Sequence, residues 1–140
     1  MASTILNEVI RRQNPVTLPV TATVQEACRT MRDRRIGAIL VTESDGRLVG
    51  LFTGRDVVGR VVAESLDPAT TTLGEVMTVE PDTLRPQAQA IEALRMMRDG
   101  GYRHLPIVEG RKIAGIVSWG DFTRLEQARL DDASGFKEIL

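Results

Sequence analysis

Most of this chain is one segment written twice. Thr17-Leu18 recurs 66 positions later as Thr83-Leu84, Glu26-Ala27 as Glu92-Ala93, Met31-Arg32-Asp33 as Met97-Arg98-Asp99, and Glu43 as Glu109. One position is lost at the turn that follows. Beyond it, Gly50-Leu51-Phe52-Thr53-Gly54-Arg55-Asp56 aligns with Gly115-Ile116-Val117-Ser118-Trp119-Gly120-Asp121. A repeat of this length sets the size of the folding unit and implies a pseudo-two-fold arrangement with two equivalent sites. Function is therefore sought at polar positions on which both copies agree.

At 140 residues the chain suits one compact module in which the two copies share a core, burying roughly 70% of the unfolded surface without help from a disulfide or metal. A formal net charge of -1 disfavours nucleic acid as a partner, since a basic stripe shifts that balance well above neutrality. All the basic side chains except Lys112 and Lys137 are arginine, the residue suited to planar, bidentate contact with carboxylate or phosphate, although a codon bias gives the same count. Cys28 is alone, which excludes an intramolecular disulfide and a cysteine metal cluster. No charged-then-apolar leader opens the sequence and no apolar run reaches the ~18 residues that span a bilayer, so a cytoplasmic protein without a membrane partner is expected.

The apolar spacing predicts a short helix over Thr4 to Gln13, stopped by Asn14-Pro15, then an extended Val16 to Pro19. Val24, Ala27, Cys28 and Met31 form a helical stripe behind a Thr23 N-cap, with Glu26 three residues on. Ile36 to Thr42 and Leu48 to Thr53 read as a hairpin around Ser44-Asp45-Gly46, and Gly54 to Glu64 as a helix carrying Val57, Val58, Val61 and Val62. Residues 5–64 make one β-α-β-β-α unit, 65–72 a linker and 73–125 a second unit. In the second unit Leu73 to Met77 is the leading helix, Ala90, Ala93, Leu94 and Met97 the stripe, and Leu105 to Val108 with Ile113 to Ser118 the hairpin. The fold class is α/β, and neither half is comfortable alone. Residues 126–140 form a polar tail ending in Phe136, Ile139 and Leu140, which either docks on a partner or frays.

Each copy ends its hairpin with Gly, two apolar residues, a hydroxyl residue, two variable residues and Asp. That order delivers Thr53 or Ser118 to a helix start, where unpaired N–H groups favour an anion such as phosphate. Asp56 or Asp121, three residues on, can accept two hydrogen bonds from a vicinal diol such as ribose. Gly50 and Gly115 permit either a close backbone approach or a bulge. The same spacing is also a capping box, worth about 1 kcal/mol to the helix with no ligand at all. Spacing alone does not decide between the two.

Two tandem β-α-β-β-α units closing on Gly-h-h-[Thr/Ser]-x-x-Asp resemble a pair of cystathionine-β-synthase (CBS) domains, the Bateman module, here free-standing. The likeness runs from about Ile5 to Leu125, and Arg103-His104-Leu105-Pro106-Ile107-Val108 matches the family's second-strand pattern. The resemblance implies clefts for adenosine compounds: AMP, ADP or ATP, or alternatively NAD or S-adenosylmethionine. It implies that Thr53 and Asp56, with Arg55 near the phosphates, serve one cleft, and that Ser118 and Asp121 serve the other. Thr17-Leu18 and Thr83-Leu84 match positions that touch the base, and Arg103 and His104 the basic pair that reaches phosphate. The first copy reads Gly37-Ala38-Ile39-Leu40 instead, with no basic pair and with Leu40 where the second has Pro106. Trp119 is placed to stack on a base or to fill a dimer contact.

Set against these are plainer readings. His104 is a polar residue on a strand edge or a phosphate contact, and without carboxylate company it makes no metal site. Cys28 reads as a buried structural thiol, Met31, Met96 and Met97 as core or interface filler, and Arg32, Arg34 and Arg35 as the wet end of a helix where cations suit the dipole. No nucleophile-base-acid constellation can be assembled, so no catalytic residue, catalytic cofactor or metal is expected and an enzyme is disfavoured. The expected function is a nucleotide-responsive regulator, homodimeric by resemblance, acting on a target the sequence does not name. A ligand-free interaction module is the alternative.

Overall fold

The computed structural model describes residues 4–122. The end of the second copy at Leu125 and the tail at 126–140 lie outside the described residues. The chain divides into two units, each assembled from parts of both copies. The first comprises Pro15–Pro81 with Gly110–Ile113; the second comprises the described parts of Met1–Asn14, Asp82–Glu109 and Ala114–Leu140.

In the first unit, β1 (Thr17–Pro19), β2 (Ala38–Thr42), β3 (Leu48–Thr53) and β4 (Thr78–Val79) form a sheet in that order. β1 runs parallel to β2, with Thr17 opposite Leu40, and β2 runs antiparallel to β3, with Ala38 opposite Thr53. Helix α2 (Val24–Arg34) lies where the apolar stripe places it. Thr23 Oγ1 accepts the Glu26 N–H at 3.1 Å, and Val24, Ala27 and Met31 are buried with Ile39, Val41 and Phe52. The hairpin turn needs a left-handed residue and has one at Gly46, with φ 85°.

The helix expected over Gly54 to Glu64 differs in kind. After α3 (Gly54–Asp56) the chain widens into a π-helical segment, Val57–Val62, in which the Ala63 N–H donates to the Val58 carbonyl at 3.0 Å. An i→i+5 turn changes which valines share a face. Val61 is buried and Val57 half-buried, whereas Val58 and Val62 are about two-thirds exposed.

The leading helices exchange places. Helix α4 (Leu73–Val76), at the start of the second copy, buries Leu73, Val76 and Met77 in the first unit. β4 then pairs with the edge of β3, Val79 opposite Gly50. Helix α1 (Leu6–Ile10), at the start of the first copy, buries Leu6 and Ile10 in the second unit, against Ala90, Ala93, Leu94 and Met97 of α5 (Ala90–Gly100). Two apolar clusters result, each joining one copy's sheet to the other copy's leading helix. Helices of four or five residues have no stability of their own, and form only where a partner buries them.

The glycines repeated in both copies belong to this exchange. A Cβ on Gly50 would run into the Met77 side chain, and one on Gly115 into Ile10 and Gln13. Close approach is therefore the role of both, and a bulge also lies beside Gly50, where the β2–β3 register shifts between Val41 and Thr42.

The second unit is the sparser copy. β5 (His104–Glu109) and β6 (Lys112–Ser118) form the hairpin, and the counterpart of β1 shrinks to a single bridge between Leu84 and Ile107. The counterpart of β4 is replaced by a side chain. Gln13 Oε1 accepts the Ile116 N–H at 2.9 Å and Gln13 Nε2 donates to the Ile116 carbonyl at 2.7 Å. Ile116 is the repeat mate of Leu51, which pairs with Thr78 of β4. One amide group here satisfies the edge that a strand covers in the other copy.

Candidate functional site

The first hydroxyl-carboxylate motif stands where β3 passes into α3. The Gly54 N–H donates to the Gly37 carbonyl at 3.1 Å, locking the helix start beside β2. Asp56 Oδ2 then accepts the Thr53 N–H at 2.9 Å and the Thr53 hydroxyl at 3.2 Å, closing a capping box. Its other oxygen, Oδ1, lies 3.3 Å from Arg60 Nε, one helical turn on. Asp56 is 8% exposed, one of two buried polar residues among those described. A carboxylate so placed is acceptable inside a fold because one oxygen accepts hydrogen bonds and the other is ion-paired. Thr17 and Leu18 lie on β1 against Leu40 and Val41, in the same sheet as Thr53, and Arg55 is exposed on α3.

The second motif keeps the backbone frame and changes the surroundings. The Trp119 N–H donates to the Arg103 carbonyl at 3.0 Å, the counterpart of the Gly54 bond, and Asp121 Oδ2 accepts the Ser118 N–H at 2.7 Å. The helix start is a single 3-10 turn, Trp119–Asp121, and Asp121 is exposed. Trp119 is buried in the apolar cluster of this unit, with the Arg103 guanidinium carbon 5.5 Å from its ring centroid. The expectation of a base-stacking or dimer-contact tryptophan is corrected accordingly: the ring is core, capped by an arginine in a cation–π contact worth about 0.5–1 kcal/mol.

His104 opens β5, half-buried. Burial lowers its pKa, the Asp121 charge pushes it back up, and the Arg103 charge lowers it again. Imidazole, carboxylate and guanidinium are thus close enough to feel one another. The structure brings together Ser118, Asp121, Arg103 and His104. Leu84 joins them through the sheet, its N–H donating to the Pro106 carbonyl at 3.2 Å, while Thr83 is exposed beside it.

Two residues that matter here were missed from sequence. Arg60 carried a signal, an acid and an arginine at i, i+4. Gln13 carried none, because its partner is 103 positions away. Cys28 is half-buried rather than fully buried, and burial raises its thiol pKa. Among the described residues no group of three His, Cys, Asp or Glu side chains could hold a metal ion, and no helix is long and apolar enough to cross a membrane.

With this geometry in place, the CBS domain family model matches the chain twice, over residues 6–63 and 73–127, and the chain belongs to that family. A CBS domain-containing protein of Arabidopsis thaliana, CBSCBSPB3, is 37% identical over 124 residues, covering 85% of this chain and 22% of its own length. The chain spans only 20% to 23% of the plant relatives it matches first. The uncharacterized protein YlbB of Bacillus subtilis is 34% identical over 117 residues, 83% of this chain and 78% of that one. Among solved structures, the CBS domain protein PAE2072 from Pyrobaculum aerophilum complexed with AMP superposes with a TM-score of 0.81 at 27% identity, covering 91% of this chain and 98% of that one. The α/β fold of a CBS-domain pair is therefore the fold of this protein.

Proposed function

We propose that this CBS-domain pair is a regulatory sensor of adenine nucleotides, AMP, ADP or ATP, with its principal site in the second copy. The observation that carries the reading is the cluster of Asp121, His104 and Arg103 around Ser118: an exposed carboxylate with the reach of a ribose diol, next to two groups suited to phosphate. The AMP complex of the Pyrobaculum relative supports the ligand class. Leu84 and Pro106, bonded through their backbones, are assigned to the adenine side together with Thr83. Thr53, Asp56 and Arg55, with Thr17 and Leu18, form the corresponding site of the first copy.

Sensing needs only a difference in grip. A nucleotide that holds one arrangement of the protein tenfold more tightly than another shifts the balance by about 1.4 kcal/mol, a small part of the ~8 kcal/mol in a micromolar complex. The exposed Val58 and Val62 favour a homodimer in which that arrangement is read out.

A second reading has its own observation. Both carboxylates cap their helix starts, as ligand-free capping boxes do. Thermal melts with AMP, ADP, ATP, NAD and S-adenosylmethionine separate the two. A ligand at 100 times its Kd adds about 2.7 kcal/mol to stability, so a sensor melts several degrees higher. An unchanged melting temperature across the panel leaves only the structural module.

A further inference from the structure

The two carboxylates that the nucleotide reading treats as equivalent differ in what already holds them. Asp56 Oδ2 is bonded to Thr53, and Asp56 Oδ1 faces Arg60 Nε at 3.3 Å. Arg60 is anchored at its far end as well, Nη1 donating to the Met77 carbonyl at 3.1 Å. The guanidinium therefore bridges the carboxylate to the end of α4. In the second copy the repeat mate of Arg60 is Leu125, outside the described residues, and Asp121 is exposed where Asp56 is buried.

We propose that Arg60 is an internal occupant of the Asp56 carboxylate, standing where a ribose diol would bind, so that the two sites fill unequally. One nucleotide per chain is held at Ser118–Asp121, and the Thr53–Asp56 site stays closed until Arg60 is withdrawn. The inference rests on the nucleotide-binding reading above. A diol offers the carboxylate hydrogen bonds from neutral donors, whereas a guanidinium adds an opposite charge and is supplied from within the same molecule. Arg60 is half-exposed, and solvent screening weakens its hold, so the device biases the site instead of abolishing it. A gap of about tenfold between the two affinities is the size expected of an ion pair with one buried and one half-exposed member. Because the same arginine grips Met77, filling the first site also releases the end of α4. Arg60 is thus a specificity-determining residue that ties occupancy of one site to the leading helix of the other copy.

The test is calorimetric titration of AMP into the full chain, its Arg60→Gln variant and its Arg60→Leu variant, with Trp119 fluorescence followed in parallel. Trp119 is the sole tryptophan and lies in the second motif. Gln keeps a donor for the Met77 carbonyl and removes the charge, so it preserves the fold if Leu does not. We expect one tight equivalent of AMP per chain in the wild type, with heat and fluorescence titrating together, and a second equivalent about tenfold weaker. In the variants the second equivalent, with little further fluorescence change, tightens to within about threefold of the first once that ion pair is gone. Two equal sites in the wild type, or variants that keep the tenfold gap, overturn the inference and leave nucleotide binding standing. A weaker, instead of tighter, second equivalent in the variants makes Arg60 a ligand contact and overturns it too. No heat in any of the three proteins overturns the nucleotide reading itself, and the inference with it.

Discussion

The helix starts at Thr53 and Ser118 share a backbone frame to within 0.1 Å in the bond that sets it, 3.1 Å from Gly54 to Gly37 and 3.0 Å from Trp119 to Arg103. Around that frame almost everything differs. The first motif is closed by its own chemistry, with a buried aspartate hydrogen-bonded on one oxygen and ion-paired on the other, and a neutral Gly37-Ala38 opposite. The second is open, with an exposed aspartate, a half-buried histidine and an arginine lying on a tryptophan. Duplication supplies two copies of a scaffold, and side chains next to it decide which copy is used as a cap and which as a binding site.

The largest expected effect breaks the comparison at the carboxylates. Asp121→Ala should weaken AMP binding by about two orders of magnitude while costing about 1 kcal/mol of stability, the value of a cap. Asp56→Ala should do the reverse, with little change in AMP affinity and a larger stability loss of about 1–3 kcal/mol, chiefly from the unmade bonds of Thr53, the half-exposed Arg60 adding little. Titration calorimetry and denaturant melts on the two variants check the crossing pattern. Equal effects on both quantities would remove the distinction drawn here.

Next come the glycines under the leading helices. Gly115→Ala meets the branched Cβ of Ile10, which is fixed to its backbone, whereas Gly50→Ala meets the far end of the flexible Met77 side chain. We expect Gly115→Ala to destabilise by about 1–3 kcal/mol and Gly50→Ala by clearly less, as chemical denaturation would show. A smaller effect lies at the ends of the long helices. Gly101 (φ 73°) closes α5, and Arg35 (φ 55°) takes the matching left-handed position after α2. Arg35→Gly should stabilise the protein by about 0.5–1 kcal/mol and Gly101→Ala destabilise it by a similar amount, visible as opposite shifts in Tm.

The smallest effect is the pH dependence of His104. Its folded pKa lies below the ordinary histidine value, chiefly through burial, with Asp121 opposing and Arg103 assisting. Above the unfolded value of about 6.5 both states are neutral and the stability is fully present. As pH falls through that value toward the folded pKa, the unfolded chain takes up the proton first and stability is lost. The first copy has Ala38 at this position and contributes no such term. The decline in Tm below pH 6.5 should therefore be shallower in His104→Asn, and shallower in wild type saturated with AMP, whose phosphate favours the charged ring.

Local pattern made much of this legible. The α2 and α5 stripes, the Thr23 cap, the Gly46 turn and the bounds of β3 follow from the residues within each segment. The exchange of α1 and α4 does not, because which sheet a four- or five-residue helix covers depends on residues far away in the chain. Gln13 standing in for a strand is of the same kind. At the site, sequence identified the hydroxyl and acid in both copies but could not rank them. The ranking comes from burial, which puts Asp56 under Arg60 and leaves Asp121 in the open.

The most direct measurement is a titration of AMP followed by Trp119 fluorescence, comparing wild type with Asp121→Ala. We expect a saturable change in the wild type, in the micromolar to submillimolar range, that is lost in the variant while its far-ultraviolet circular dichroism stays native. A flat signal in the wild type to millimolar AMP, with no heat in the calorimeter, would contradict nucleotide sensing at the second copy.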